Sequence, residues 1–159
     1  MQLGIREPGF GIRDSRVGKF EQLVAAFNRG TLDVPDGFLT SNTIFSLNSR
    51  PYESLLGGSA EDPHIKLLAR GSAGYRTAAR ALHYALQQPV VTIESISNAD
   101  AAGLRLAKLR VEGRLRGSGV PFDAQWLLKL VCRNDVVISA DVICPESDLE
   151  KITAARRKP

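Results

Sequence analysis

Histidine and cysteine are scarce in this chain, two of each in 159 residues, and that scarcity removes whole classes of chemistry. None of the four stands at metal-ligand spacing, so no structural metal site is expected. Cys132 and Cys144 fall on the apolar phase of two consecutive predicted strands, about eight residues apart along the ladder, or roughly 26 Å. A disulfide needs Cα atoms within about 7 Å, so both are expected as free, buried thiols. No apolar run approaches the roughly 20 residues of a membrane helix. The first ten residues, from Met1 to Phe10, lack the hydrophobic stretch of a secretory signal, so the expected location is cytoplasmic, or its equivalent behind a cleaved transit peptide. Aromatic residues make up only 6% of the chain and are not interleaved with basic ones as base-stacking sheets require. The net charge of +4 and pI near 9.3 therefore read as a solvated basic surface, not a nucleic-acid site. Serine and cysteine nucleophiles lack an adjacent base, and no glycine loop leads from strand to helix to hold phosphate. No cofactor is expected.

What the chain does have is ordinary globular composition, 43% hydrophobic and 24% charged, enough for one substantial core. Residues 1–14 read as an irregular arm. Asp14 or Ser15 can cap a first helix in which Val17, Phe20, Leu23, Val24 and Phe27 recur at helical spacing, with Gly30 past its end. A short helical turn is predicted over 33–39 and a strand over 43–48. Asp62-Pro63 looks like a cap and first-turn proline opening a short helix. A stronger helix runs from Ser72, with Tyr75, Ala78, Leu82, Ala85 and Leu86 near one face, and stops before Pro89. Strands follow over 89–97, from 104 to 116, over 122–133 and over 136–144. A capping box, Ser147-Asp148-Leu149-Glu150, opens a last short helix. Helices first and long hairpin-joined strands after predict an α+β domain.

The most informative segment is Ala107-Lys108-Leu109-Arg110-Val111-Glu112-Gly113-Arg114-Leu115-Arg116. Strict alternation puts Ala107, Leu109, Val111, Gly113 and Leu115 on one face of a long strand. Lys108, Arg110, Glu112, Arg114 and Arg116 take the other. Pairing Arg116 with Pro121, and Leu128 with Ala140, keeps an apolar face continuous across the next two strands. Asp141 then falls beside Leu127, on the face of Arg110 and Glu112.

The order of elements resembles the nuclear transport factor 2-like superfamily. Three segments carry the resemblance. The exit of the first helix, Ala25-Ala26-Phe27-Asn28-Arg29-Gly30-Thr31-Leu32-Asp33, is similar to that superfamily's Asn–Gly–Asp pattern. Gly113-Arg114-Leu115-Arg116-Gly117-Ser118-Gly119-Val120-Pro121-Phe122 resembles the glycine turn of SnoaL-like polyketide cyclases. Residues 134–144 stand in place of the last turn and strand. The resemblance covers about 16–152, with a longer stretch at 49–71. It implies a cone-shaped curved antiparallel sheet with the N-terminal helices packed on its concave face. It also implies a single SnoaL-like domain over 15–152 between the arm and a basic tail over 153–159, and a homodimer through one sheet face.

The resemblance also implies where a site would lie. Positions matching the acid–base set of ketosteroid isomerases are Leu23, Leu47 and Leu128, which excludes that mechanism. The aspartate–arginine–aspartate set of limonene epoxide hydrolase-like enzymes matches Arg110, Glu112 and Asp141, with Glu112 and Asp141 as the acid–base pair and Arg110 the orienting cation. That family's tyrosine falls at Phe45, which has no hydroxyl. Phe45, His83, Gln125, Leu127 and Ser139 are the candidate ligand contacts. Two readings stay open. In one the protein holds a small, largely apolar molecule, with cofactor-independent hydrolase, cyclase or isomerase chemistry at the three charged residues. In the other it is a non-catalytic binding or dimerisation module whose charged strand face meets water. Lys108, Arg114, Arg116 and Lys129 on that face favour water, because an enclosed pocket would not hold so many cations.

Overall fold

The computed structural model describes residues 15–52, 69–134 and 136–157. The arm over 1–14 and the short helix expected at Asp62-Pro63 lie outside them. Helix α1 (Ser15–Arg29) leads into strand β1 (Leu39–Leu47) and the two-residue β2 (Arg50–Pro51). Helix α2 (Gly71–Ala85) follows. Then come β3 (Leu86–Ile96), β4 (Leu104–Leu115), β5 (Pro121–Arg133), β6 (Val136–Ile143) and helix α3 (Glu146–Arg157). The strands form one curved sheet in the order β2-β1-β6-β5-β4-β3. Helices α1, α2 and α3 all pack on its apolar face.

The α+β architecture is as expected, with a difference in strand direction. Strand β1 pairs with β6 in parallel, so the sheet is mixed where an antiparallel one was expected. After β2 the chain crosses to the far edge through α2 before the hairpins begin, and that return brings β6 alongside β1. Local alternation carries no information about such a crossover.

The register also moves by two residues from the expected one. Arg114, not Arg116, faces Pro121, because Gly117 and Gly119 at φ 94° and 73° build a wider loop. Leu128 faces Val142 and Leu130 faces Ala140. An even slip leaves every side chain on its predicted face. Helix α2 ends at Ala85, earlier than Pro89 alone would require. Leu86 already belongs to β3, and Pro89 sits where the β3–β4 register shifts, a position that spares a ladder bond. Helix α3 continues to Arg157, past the expected end of the domain at 152.

Two glycines bring α2 down onto β1. A Cβ on Gly71 would come within 2.6 Å of the Thr40 carbonyl oxygen. One on Gly74 would meet the Ala69 carbonyl oxygen at 2.3 Å and the Phe45 ring at 3.0 Å. At the opposite edge, the Asn28 side chain accepts from the Val91 N–H and donates to the Val91 carbonyl. It thereby occupies one residue's pair of the hydrogen-bonding groups that edge strand β3 would otherwise offer to another strand.

Candidate functional site

The core divides into two clusters. One gathers Phe20, Leu23, Phe38, Phe45, Leu109, Leu128, Leu130 and Val137; the other is Leu86, Val111 and Phe122. A cavity of about 390 Å³ lies between sheet and helices, with wall residues from both clusters. Its existence follows from side-chain size. Helix α2 turns Ala78, Ala79 and Ala81 toward the space, and β6 contributes Ala140, so nothing large reaches across from these positions. Val91, Leu109, Val111, Trp126 and Leu128 form the sheet wall, and Leu149 and Ile152 of α3 the far side.

Trp126 secures that far side. Its indole N–H donates to Asp148 Oδ2 at 3.0 Å, while its ring meets Phe122 edge-on with centroids 6.2 Å apart. A second space, bounded by Arg50, Glu146 and Glu150, shares Leu47, Leu149 and Thr153 with the first and gives it a polar border.

Five lining residues carry polar side-chain atoms: Tyr52, Tyr75, Thr77, Trp126 and Thr153. The Thr77 hydroxyl donates to the Ala73 carbonyl of its own helix. Tyr52 stacks on Phe45, centroids 5.6 Å apart. Burial first, then the negative charge of Asp141, pushes its phenol up to about 12. The Tyr75 hydroxyl has no solvent exposure and no hydrogen-bond partner among the described residues. Burial pushes its phenol up to about 12 as well, against the opposing effect of Arg76. Both phenols are neutral donors at ordinary pH. No carboxylate and no histidine appears among the described lining residues.

The expected charged cluster is somewhere else. Arg110 and Glu112 stand on the outer face of β4, 44% and 45% exposed. Arg110 makes a bidentate pair with Asp123, Nε to Oδ1 at 3.0 Å and Nη2 to Oδ2 at 2.6 Å, and Glu112 lies 3.8 Å away. The guanidinium holds the Asp123 carboxyl below its usual range. Asp141 shares the outer face but faces Lys129, while Arg110 faces Gln125. Those two β5 partners are four residues apart, roughly 13 Å along the strand. Asp141 instead accepts from the Ser49 N–H at 3.0 Å and the Ser49 hydroxyl at 3.2 Å. It pins the β1–β2 turn, whose Asn48 and Ser49 both have positive φ, 50° and 68°.

An inward-facing Arg110–Glu112–Asp141 cluster is thus not what the structure holds, because the wholly apolar face of β4 is the one the helices cover. The candidate ligand contacts divide in the same way. Phe45 lines the cavity. Gln125 donates outside to Glu94 at 2.9 Å. Leu127 faces Lys108, and Ser139 faces Ile44, in outer-face rows. His83 bonds the Phe27 carbonyl at 2.9 Å and packs on the Phe27 ring, outside the lining. Both cysteines are buried and neither forms a disulfide, and no group of metal-ligating side chains gathers among the described residues. Among those residues no helix is long and apolar enough to cross a membrane.

No family model matches the sequence, and no curated protein matches it. Solved structures do. A protein described as a SnoaL-like polyketide cyclase from Jannaschia sp. CCS1 superposes with a TM-score of 0.64 at 16% identity, covering 98% of this chain and 99% of its own. IdmH from Streptomyces antibioticus, described as a polyketide cyclase, gives 0.60 at 16% identity, covering 89% and 99%. TerC, co-crystallised with polyporic acid, gives 0.63 at 9% identity, covering 89% and 99%. With helices on the concave face, a cavity beneath them and these superpositions, the chain has the α+β cone fold of the SnoaL-like polyketide cyclases.

Proposed function

We propose that this protein holds a small, largely apolar molecule in the cavity between the sheet and helices α1, α2 and α3. The observation that carries this reading is the cavity itself, about 390 Å³ with aliphatic and aromatic walls, within the size range of small-molecule sites. Apolar walls around that volume favour a hydrocarbon-rich molecule, whose transfer out of water they reward.

Cofactor-independent cyclase chemistry is the second reading, favoured by the descriptions of structural neighbours. The walls support binding more directly than acid–base work. Two phenols pushed up to about 12 can donate hydrogen bonds but do not exchange protons near neutrality. The charged set Arg110, Glu112 and Asp123 acts in this reading as a solvated ion network. Its apolar neighbours on the same face, Ile44 and Leu106, each 40% exposed, support a homodimer through the outer sheet face. Sedimentation giving a monomer at micromolar concentration would remove that part alone.

Calorimetric titration with tetralin tests the binding reading. Saturable one-to-one binding is expected. Failure to bind up to the solubility limit contradicts it.

A further inference from the structure

We infer that helix α3 is the gate of the cavity and that the hydrogen bond from Trp126 to Asp148 is its latch. When α3 lifts, a ligand passes between cavity and solvent by way of Leu47, Leu149 and Thr153. This inference rests on the binding reading above and adds how the site is entered.

The three helices are held down in different ways. Helix α1 sinks Phe20, Leu23, Ala26 and Phe27 below 9% exposure. Helix α2 seats Gly71 and Gly74 against backbone and buries Ala79 and Ala85. Between Glu146 and Ala155, α3 has one buried residue, Ala155 at its far end. Its large apolar side chains, Leu149 and Ile152, stay half-buried because the cavity lies in front of them. A helix normally gains its stability from an apolar face packed on a core. Helix α3 has its face over a space instead, and elements with few buried apolar contacts are the first to open.

Polar ties at its first turn make up part of the difference. The Trp126 indole donates to Asp148 Oδ2 at 3.0 Å. Arg50 lies 3.5 Å from Glu146, both well exposed at 54% and 70%, and Asn48 reaches Glu146 at 3.4 Å. Exposed ion pairs contribute little, so the half-buried indole bond is the principal tie. A fixed point precedes the helix. The Asn48 side chain accepts from the Cys144 N–H and donates to the Cys144 carbonyl, each at 2.9 Å. That pair anchors the chain to the β1–β2 turn just before Pro145 and leaves α3 to move about it. Leu47, Leu149 and Thr153 line both the cavity and the polar space bounded by Arg50, Glu146 and Glu150. Raising Leu149 and Thr153 away from Leu47 therefore joins the two.

Stopped-flow mixing with Prodan, a neutral naphthalene ketone whose emission moves to the blue in apolar surroundings, tests the latch in the wild type and Asp148→Ala. Asp148 is outside the cavity lining. Cutting the latch raises the open fraction of the empty and the occupied protein alike, so association and dissociation quicken together. Both rate constants are expected to rise by about 3- to 10-fold, as loss of one hydrogen bond implies, with the dissociation constant within about twofold of wild type. An unchanged association rate, or faster dissociation alone, overturns the inference and leaves the binding reading intact. Should Asp148→Ala lose its cooperative melt, Arg50→Ala, which lies outside α3, takes its place. A rise of about twofold in both rates is expected there, and unchanged rates overturn the inference. Failure of Prodan to bind the wild type in competition with tetralin overturns both readings.

Discussion

The two faces of β4 (Leu104–Leu115) differ sharply. Ala107 and Val111 on one side are 0% and 1% exposed; Arg110 and Glu112 on the other are nearly half exposed. The inner face packs hydrocarbon against the helices, while the outer one holds the bidentate Arg110–Asp123 pair. Close charge pairing therefore does not mark a site. The cavity proposed as the site belongs to the face without charges.

Substitutions at adjacent positions break this contrast most forcefully. Val111→Asp places an unpaired carboxylate among Leu86 and Phe122 and should destabilise the fold by more than about 4 kcal/mol, seen as loss of a cooperative melt. Glu112→Ala, one residue along, should leave the melting temperature within about 2 °C. Equal effects would contradict the difference between the faces.

Filling the cavity sharpens the comparison without unfolding the chain. Ala78→Phe projects a ring into the cavity. It should hold or raise stability by about 0.5–2 kcal/mol, as cavity-filling changes do, while weakening tetralin binding at least about tenfold. A smaller effect comes from alkali. Tyr52 and Tyr75 titrate near 10 when unfolded and are pushed up to about 12 in the fold. Their contribution is fully present below pH 10 and is lost as pH rises from about 10 through 12, because the unfolded phenols ionise first. Denaturant midpoints should fall across that window, and the fall should shrink in Tyr75→Phe. The smallest effect belongs to Arg110→Ala, whose exposed pair with Asp123 is screened by salt. Its melting temperature should match the wild type at high ionic strength.

Much of this was legible in the residues. Alternation along β4 assigned every side chain to its correct side, and the number of cations on one side pointed that side toward water. The three-residue match Arg110, Glu112 and Asp141 pointed the other way and failed for a geometric reason. Residues sharing a face still sit many ångströms apart when the register slips by two, and glycine φ values inside a turn set that slip. The parallel β1–β6 pair depends on a crossover with no local pattern. Tyr75 was visible on the apolar stripe of α2, where a phenol among alanines is the one available signal. Placing it beside a cavity required the packed layers, because cavity volume is a property of those layers.

The most direct measurement is the tetralin dissociation constant of three proteins side by side: wild type, Arg110→Ala and Ala78→Phe. A ligand site on the helix-covered face requires Arg110→Ala to bind like wild type and Ala78→Phe to bind at least about tenfold more weakly. Lost binding in Arg110→Ala together with retained binding in Ala78→Phe would contradict it.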